Sequence, residues 1–216
     1  MAIIVTKSVG QLEAPFILTP ERYNPNRKLS ITGGIRICDI AYLGDAQYLE
    51  RAQERVLQID TCDAREGVLT IPSEVSEIKS NKKRIQRGDV LISRLRPYLR
   101  QVAFVDSDSE KLACSTEFYV LRSKDGKSIA FLVPFLLSEQ VQSVFLNSVE
   151  GSQHPRFKES DLLGLEIPDA IMKKRDAASL SVEAAIQKYR QFQEELQSEI
   201  RSVEAALQSS KNMPGA

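Results

Sequence analysis

Between residues 79 and 100 the sequence carries eight basic side chains, Lys79, Lys82, Lys83, Arg84, Arg87, Arg94, Arg96 and Arg100, against a single acid, Asp89. The chain as a whole balances 29 basic against 29 acidic residues over 216 positions, so the excess is local. No whole-molecule field draws this protein to a polyanion; any such site must be a patch. A lysine ammonium is a point charge suited to phosphate, whereas an arginine guanidinium is a planar fork that bridges two acceptors on a guanine edge. Arg94, Arg96 and Arg100 surround Pro97-Tyr98, which would hold them on a stiff turn at the end of a strand. The competing reading is ordinary solvated charge on an exposed hairpin, with Tyr98 at the edge of the core.

A second donor-rich segment follows at residues 151–158, GSQHPRFK. Ser152, Gln153, His154, Arg156 and Lys158 offer donors and acceptors of the kind that read base edges, on a loop that Pro155 stiffens. A plain surface loop has a similar composition, so this segment gains weight only if it shares a face with the first.

Catalysis finds little support. The sole histidine, His154, lies in a polar loop with no cysteine beside it, which leaves no nucleophile and base pair. There is no phosphate-binding glycine loop, dinucleotide fingerprint or HExxH zinc motif. Asn24-Pro25-Asn26-Arg27 lacks the second proline and the aromatic residue of an adenine methyltransferase motif and reads as a turn. Asp106, Asp108 and Glu110 fall between strand candidates, where solvated charge breaking up a hairpin is the simpler account than a metal site. Cys38, Cys62 and Cys114 are odd in number and far apart, fitting neither a disulfide framework nor a zinc site. The expectation is a cytoplasmic protein with no catalytic residue, no metal and no cofactor. No apolar stretch approaches the length needed to span a bilayer, so no membrane association is expected.

The elements that must position these residues follow from pattern. With 42% hydrophobic residues the chain can bury one full core. Dense proline and glycine punctuation up to about residue 75 predicts loops and short strands, with one helix around residues 46–58. Gly88-Asp89 turns into the apolar run Val90, Leu91, Ile92, and QVAFV and STEFYVLR are two further strands, together predicting a meander. FLVPFLLSEQVQSVFLN predicts a helix with Pro134 at its first position and Leu137, Val141, Val144 and Phe145 on one face. A helical turn KESDLLG and a strand LEIP come next.

Residues from about 176 to 208 hold no glycine or proline and are rich in alanine, glutamate, glutamine and leucine, which predicts one long helix. Val182, Ile186, Tyr189, Gln193, Leu196, Ile200, Val203 and Leu207 step by four and three, a heptad seam with one polar interruption. Paired antiparallel with a second copy, the seam matches itself: Val182 meets Leu207, Ile186 meets Val203, Tyr189 meets Ile200 and Gln193 meets Leu196. The sequence therefore predicts an antiparallel homodimer, the alternative being that the stripe packs on its own domain or on a different subunit. The fold class expected is α+β, a mixed β-sheet domain with packed helices over 1–170, one long coiled-coil helix over 171–209, and a disordered tail over 210–216.

Taken in order, ERYNP, IQRGDVLISRLRPYLRQVAFV, STEFYVL, FLVPFLLSEQVQ, EGSQHPRFKESDLLGLEIP and the terminal helix resemble one repeat of a type I restriction-modification specificity subunit. The resemblance covers nearly the whole chain and is most specific at GDVLISRLRPYLR. It implies a target-recognition domain that binds double-stranded DNA at half of a bipartite site. It further implies docking to a modification (methyltransferase) subunit and a restriction subunit, which do the chemistry. Subunits of that family carry two such domains and two antiparallel helices, whereas this chain has one of each. The DNA-contacting set expected from the local charge and the donor-rich loop is Lys82, Lys83, Arg84, Arg87, Arg94, Arg96, Tyr98, Arg100, Ser152, Gln153, His154, Arg156 and Lys158. The alternatives are a recognition module of another methyltransferase or phage-defence complex, and a coiled-coil interaction protein with no DNA role.

Overall fold

Val90, Leu91, Ile92 and Ser93 are all buried, and their side chains alternate between two cores: Val90 and Ile92 enter one apolar cluster, Leu91 another. A strand covered on both faces must lie in a middle layer. The computed structural model describes residues 4, 6–12, 33–44, 47–48, 55–151 and 153–211. In chain order its first elements are β1 (Gly34–Arg36), α1 (Ile37–Ile40), β2 (Ala41–Leu43), β3 (Gln47–Tyr48), β4 (Arg55–Ile59), β5 (Ala64–Arg65) and β6 (Val68–Leu69). Next are β7 (Ser76–Glu77), β8 (Lys82–Arg84), β9 (Val90–Ser93), β10 (Val102–Phe104), β11 (Leu112–Ser115) and β12 (Phe118–Ser123). The chain closes with α2 (Leu132–Leu137), α3 (Glu139–Ser148), α4 (Glu159–Leu163), β13 (Glu166–Pro168), α5 (Asp169–Met172) and α6 (Arg175–Lys211).

The middle layer is an antiparallel sheet in the order β10-β9-β12-β2. One of its faces, through Val102, Phe104, Tyr119 and Leu121, packs on α2, α3, α4 and the root of α6. The other, through Ala103, Phe118 and Val120, packs on Leu112 and Cys114 of β11 and Ile59 of β4. Those strands belong to a second sheet, β3-β8-β11-β4-β7, in which β11 and β4 run parallel. The architecture is thus helices, sheet, sheet, with one long helix leaving the body, in agreement with the α+β expectation. Cys38, Cys62 and Cys114 are free thiols, and burial pushes Cys114 up to about 12.

Three expectations change. The helix around residues 46–58 is contradicted, because Gln47–Tyr48 and Arg55–Ile59 are strands that pair with β8, β11 and β7. Pairing partners, not local propensity, decide so short a segment. The meander is interrupted: β10 and β12 both pair with β9, while the chain between them leaves to form β11 in the other sheet. The apolar helix over 131–147 is two helices, broken at Ser138, whose hydroxyl accepts from Val141 N and whose extended backbone N-caps α3. Pro134 is the third residue of α2, still inside the first turn where a missing N–H costs nothing.

The long helix spans Arg175–Lys211, close to its expected bounds. Its root is clamped to the domain. Arg175 makes a two-bonded pair with Asp125 at 2.7 and 2.8 Å and also donates to the carbonyls of Ser128 and Lys127. One helical face further on, Arg190 grips Asp106 at 2.9 Å through both arms and donates to the carbonyl of Leu69. Asp106 is therefore a strut and not the solvated turn charge expected of it. Beyond residue 193 every described side chain up to residue 208 is exposed.

Candidate nucleic-acid interface

β9 ends at Ser93, whose hydroxyl donates to the carbonyl of Leu95 and starts a sharp change of direction. A 3-10 turn, Pro97–Leu99, follows, with Arg96 and Arg100 on either side both in the left-handed region at φ of 50°. Two arginines held there store about 1–3 kcal/mol of strain each, which persists only where the surroundings over-determine the backbone. They do so here: Pro97 is buried and fixes its own φ, Leu99 N donates to Arg96 O, and Arg100 N donates to Pro97 O. The result is a rigid tip that leaves Tyr98 and Leu99 half exposed, at 56% and 50%.

The second segment is built as a closed loop. Glu150 and Arg156 exchange two backbone hydrogen bonds, 2.8 and 3.0 Å, and Gly151 makes the turn at φ of 91°, where a side chain would also crowd the carbonyl of His154. Phe157 anchors the loop. It is buried, stacks on Phe145 of α3 with centroids 4.2 Å apart, and accepts at its carbonyl from the Tyr119 hydroxyl.

These two segments lie side by side. Arg96 N donates to Pro155 O at 2.8 Å, Leu95 and Arg156 form a β-bridge, and Phe157 N donates to Arg94 O. A single carboxylate then ties their side chains together. Glu117, in the turn between β11 and β12, takes both arms of Arg156 at 2.9 and 2.7 Å and the Nε of Arg94 at 3.1 Å. Arg156 first, and Arg94 after it, hold the Glu117 carboxyl below its usual range, so it stays charged and keeps both forks in place. Lys83 donates to the carbonyl of Phe118 and sits 5.9 Å from the centre of the Tyr119 ring, with Arg94 6.0 Å from the same ring. Burial raises the Tyr119 phenol. An open depression of about 610 Å³ separates the strand ends from the loop, lined by Arg94, Tyr119, Glu150, His154, Arg156 and Lys158 among others.

The structure thus brings together Lys83, Arg94, Arg96, Tyr98, Arg100, Gln153, His154, Arg156 and Lys158 from the set singled out in the sequence; Ser152 lies outside the described residues. Lys158 is paired with Glu150 at 2.8 Å. Among the described residues Arg96 and Arg100 make no ion pair. Three others are placed elsewhere. Lys82 is buried and held by Asp60. Arg87 pairs with Asp108, and it lines with Arg84 a separate hollow that also holds Glu110 and Arg122, near the start of β9. The run of charge in the sequence is therefore split by the length of β9, roughly 13 Å. Reasoning from sequence missed Glu117, Leu99 and Phe157. An acid within a strand-like run gave no sign that it would face two arginines some 20 and 40 residues away.

The heptad positions also divide. Ile186 is in the core and Val182 packs against it, so these two are turned to their own domain. Tyr189, Leu196, Ile200, Val203 and Leu207 are 39–60% exposed, with Phe192 beside them at 59%, and Gln193 accepts from Arg190 and donates to Tyr189.

A three-layer α+β body with one protruding helix is an architecture with solved counterparts. A chain from a type I R-M system, solved in work on its complex assembly and conformational transition, superimposes with a TM-score of 0.52 at 20% identity. The HsdS subunit from Thermoanaerobacter tengcongensis gives a TM-score of 0.48 at 18% identity. Each comparison covers 84% of this chain and 50% of the other, so this chain spans about half the length of the solved chains it matches. The first likeness establishes the fold, which is that of half a chain from a type I R-M system. No protein-family model matches the sequence, and no curated protein matches it.

Proposed function

We propose that this chain reads DNA as half of the specificity subunit of a type I restriction-modification system, without catalysing a reaction itself. The observation that carries the reading is the docking of the 94–100 turn onto the 150–157 loop, which gathers donors from two distant segments on one face. In this reading Arg96 and Arg100 bind phosphate or guanine edges with forks that no carboxylate of the described residues occupies. Glu117 holds Arg94 and Arg156 in place while leaving each guanidinium N–H donors to spare. Tyr98 and Leu99 form the apolar tip between them. The fold shared with a type I R-M chain supports the assignment to that system, in the cytoplasm. The partners are double-stranded DNA, a modification (methyltransferase) subunit and a restriction subunit. Two copies associate antiparallel through α6, restoring the second half, so the recognised site is symmetric and interrupted.

The test is binding of the purified chain to a mixed-sequence duplex at several salt concentrations. Arg96→Ala with Arg100→Ala is expected to weaken binding about 10- to 100-fold at low salt and to flatten the log–log salt dependence by about two units, since each phosphate contact contributes about 0.9. Affinity and slope unchanged by that double replacement count against the placement.

A further inference from the structure

A leucine half in water is ordinary on a protein surface and by itself marks nothing. Leu99, 50% exposed, differs from Leu146 and Leu180, which lie along helices, in how it is held and in what stands beside it. It ends the Pro97–Leu99 turn, whose backbone is fixed on both sides by the left-handed Arg96 and Arg100. The turn rests on α3 and is tied to the 150–157 loop through Arg96 N and Pro155 O at 2.8 Å. Backbone strain of that kind persists where a side chain has to be aimed.

The chemistry of the tip narrows what it can meet. Leu99 N and Arg100 N donate within the turn, to Arg96 O and Pro97 O, and Pro97 has no N–H, so the tip meets a partner mainly through its side chains. Tyr98 carries a hydroxyl that can bond a phosphate, whereas Leu99 offers apolar contact alone. Arg96 and Arg100, with no ion pair among the described residues, flank it and favour a polyanion as the partner. A side chain reading base edges between two such arginines finds one apolar group, the methyl at C5 of thymine, in the major groove.

We propose that Leu99 reads a methyl at C5 of a pyrimidine, carried by thymine in unmodified DNA. The inference rests on the DNA reading proposed above and deepens it: Arg96 and Arg100 supply affinity, and Leu99 supplies a preference for one base.

The experiment uses the full chain to select tight binders from a randomised duplex pool. The selected sequences are then copied with either thymine or uracil, which differ only in that methyl. The uracil form should bind about fourfold more weakly, the effect of withdrawing one methyl-sized apolar contact. That ratio should hold as salt is raised, although both affinities fall. Leu99→Ala should bring the ratio close to one, and Leu99→Met should keep most of it. Copies made with 5-methylcytosine in place of cytosine should gain nothing. A gain there without a loss on uracil assigns the contact to modified cytosine and overturns thymine. Equal binding of the thymine and uracil forms overturns the proposal while leaving DNA reading in place. A ratio that survives Leu99→Ala puts the methyl contact on another residue and overturns it as well. A pool that never enriches overturns sequence reading itself, and the role of Leu99 with it.

Discussion

The root of α6 and the turn–loop face are both built on arginine–carboxylate pairs, yet they use arginine differently. At the root each guanidinium is filled: Arg175 has Asp125 and two carbonyls, Arg190 has Asp106 and one carbonyl, and Arg175 is buried. On the face one carboxylate serves two arginines, Arg94 commits a single nitrogen to it, and Arg96 and Arg100 have no carboxylate among the described residues. With five N–H donors per guanidinium, the number left over separates a strut from a reader. Charge counted along the sequence cannot make that distinction; donor occupancy can.

Replacing a strut should damage the fold and leave DNA binding by the surviving folded protein unaltered. Arg175→Ala strands Asp125 and two carbonyls and should cost about 2–4 kcal/mol in urea unfolding, the largest effect expected. Glu117→Gln sits between the two classes. It removes the charge that aligns Arg94 and Arg156, and a loss of about 1–2 kcal/mol is expected because the pairs are partly solvated, with DNA affinity reduced several-fold. Arg100→Gly should run the other way: relieving a left-handed non-glycine backbone raises stability by up to about 1 kcal/mol while DNA binding weakens. Arg87→Ala, at the far end of β9 and on exposed Asp108, should change stability and affinity by less than about 0.5 kcal/mol.

Acid sharpens the same contrast. Arg156 and Arg94 depress the Glu117 carboxyl, and Arg175 depresses Asp125. A carboxyl lowered by folding contributes stability that is complete above its unfolded pKa, about 4, and is lost as pH falls through the lower folded value. Urea midpoints should therefore be flat from pH 8 to 5 in these two contributions and decline below about pH 4. The acid decline should be shallower in Glu117→Gln.

What could be read from the sequence was whatever depends on near neighbours. The strand at Val90, the split of Val141, Val144 and Phe145 onto one helical face, the KESDLLG turn and the long final helix are all set by local period and composition. Hidden features depend on partners distant in sequence. Arg55–Ile59 becomes a strand because Leu112–Ser115 runs parallel to it, and Val182 and Ile186 leave the seam because the domain's own helices reach them first. Within the candidate site the residue types were visible, but the two facts that organise it were not. Glu117 is unremarkable in sequence, and nothing in an arginine announces a positive φ.

One pairing sets the timetable of synthesis. β1 is stitched to β13 by three antiparallel partners, Gly34 to Pro168, Ile35 to Ile167 and Arg36 to Glu166, and the carbonyl of Ile167 occupies the space where any side chain at position 34 would begin. On a ribosome adding about 5–20 residues per second, β1 waits roughly 7–27 seconds for its mate to be made. Until then the edge of Ile35 is bare, so a nascent chain halted before residue 168 holds an unclosed ring and should be a better chaperone client than one released a few residues later.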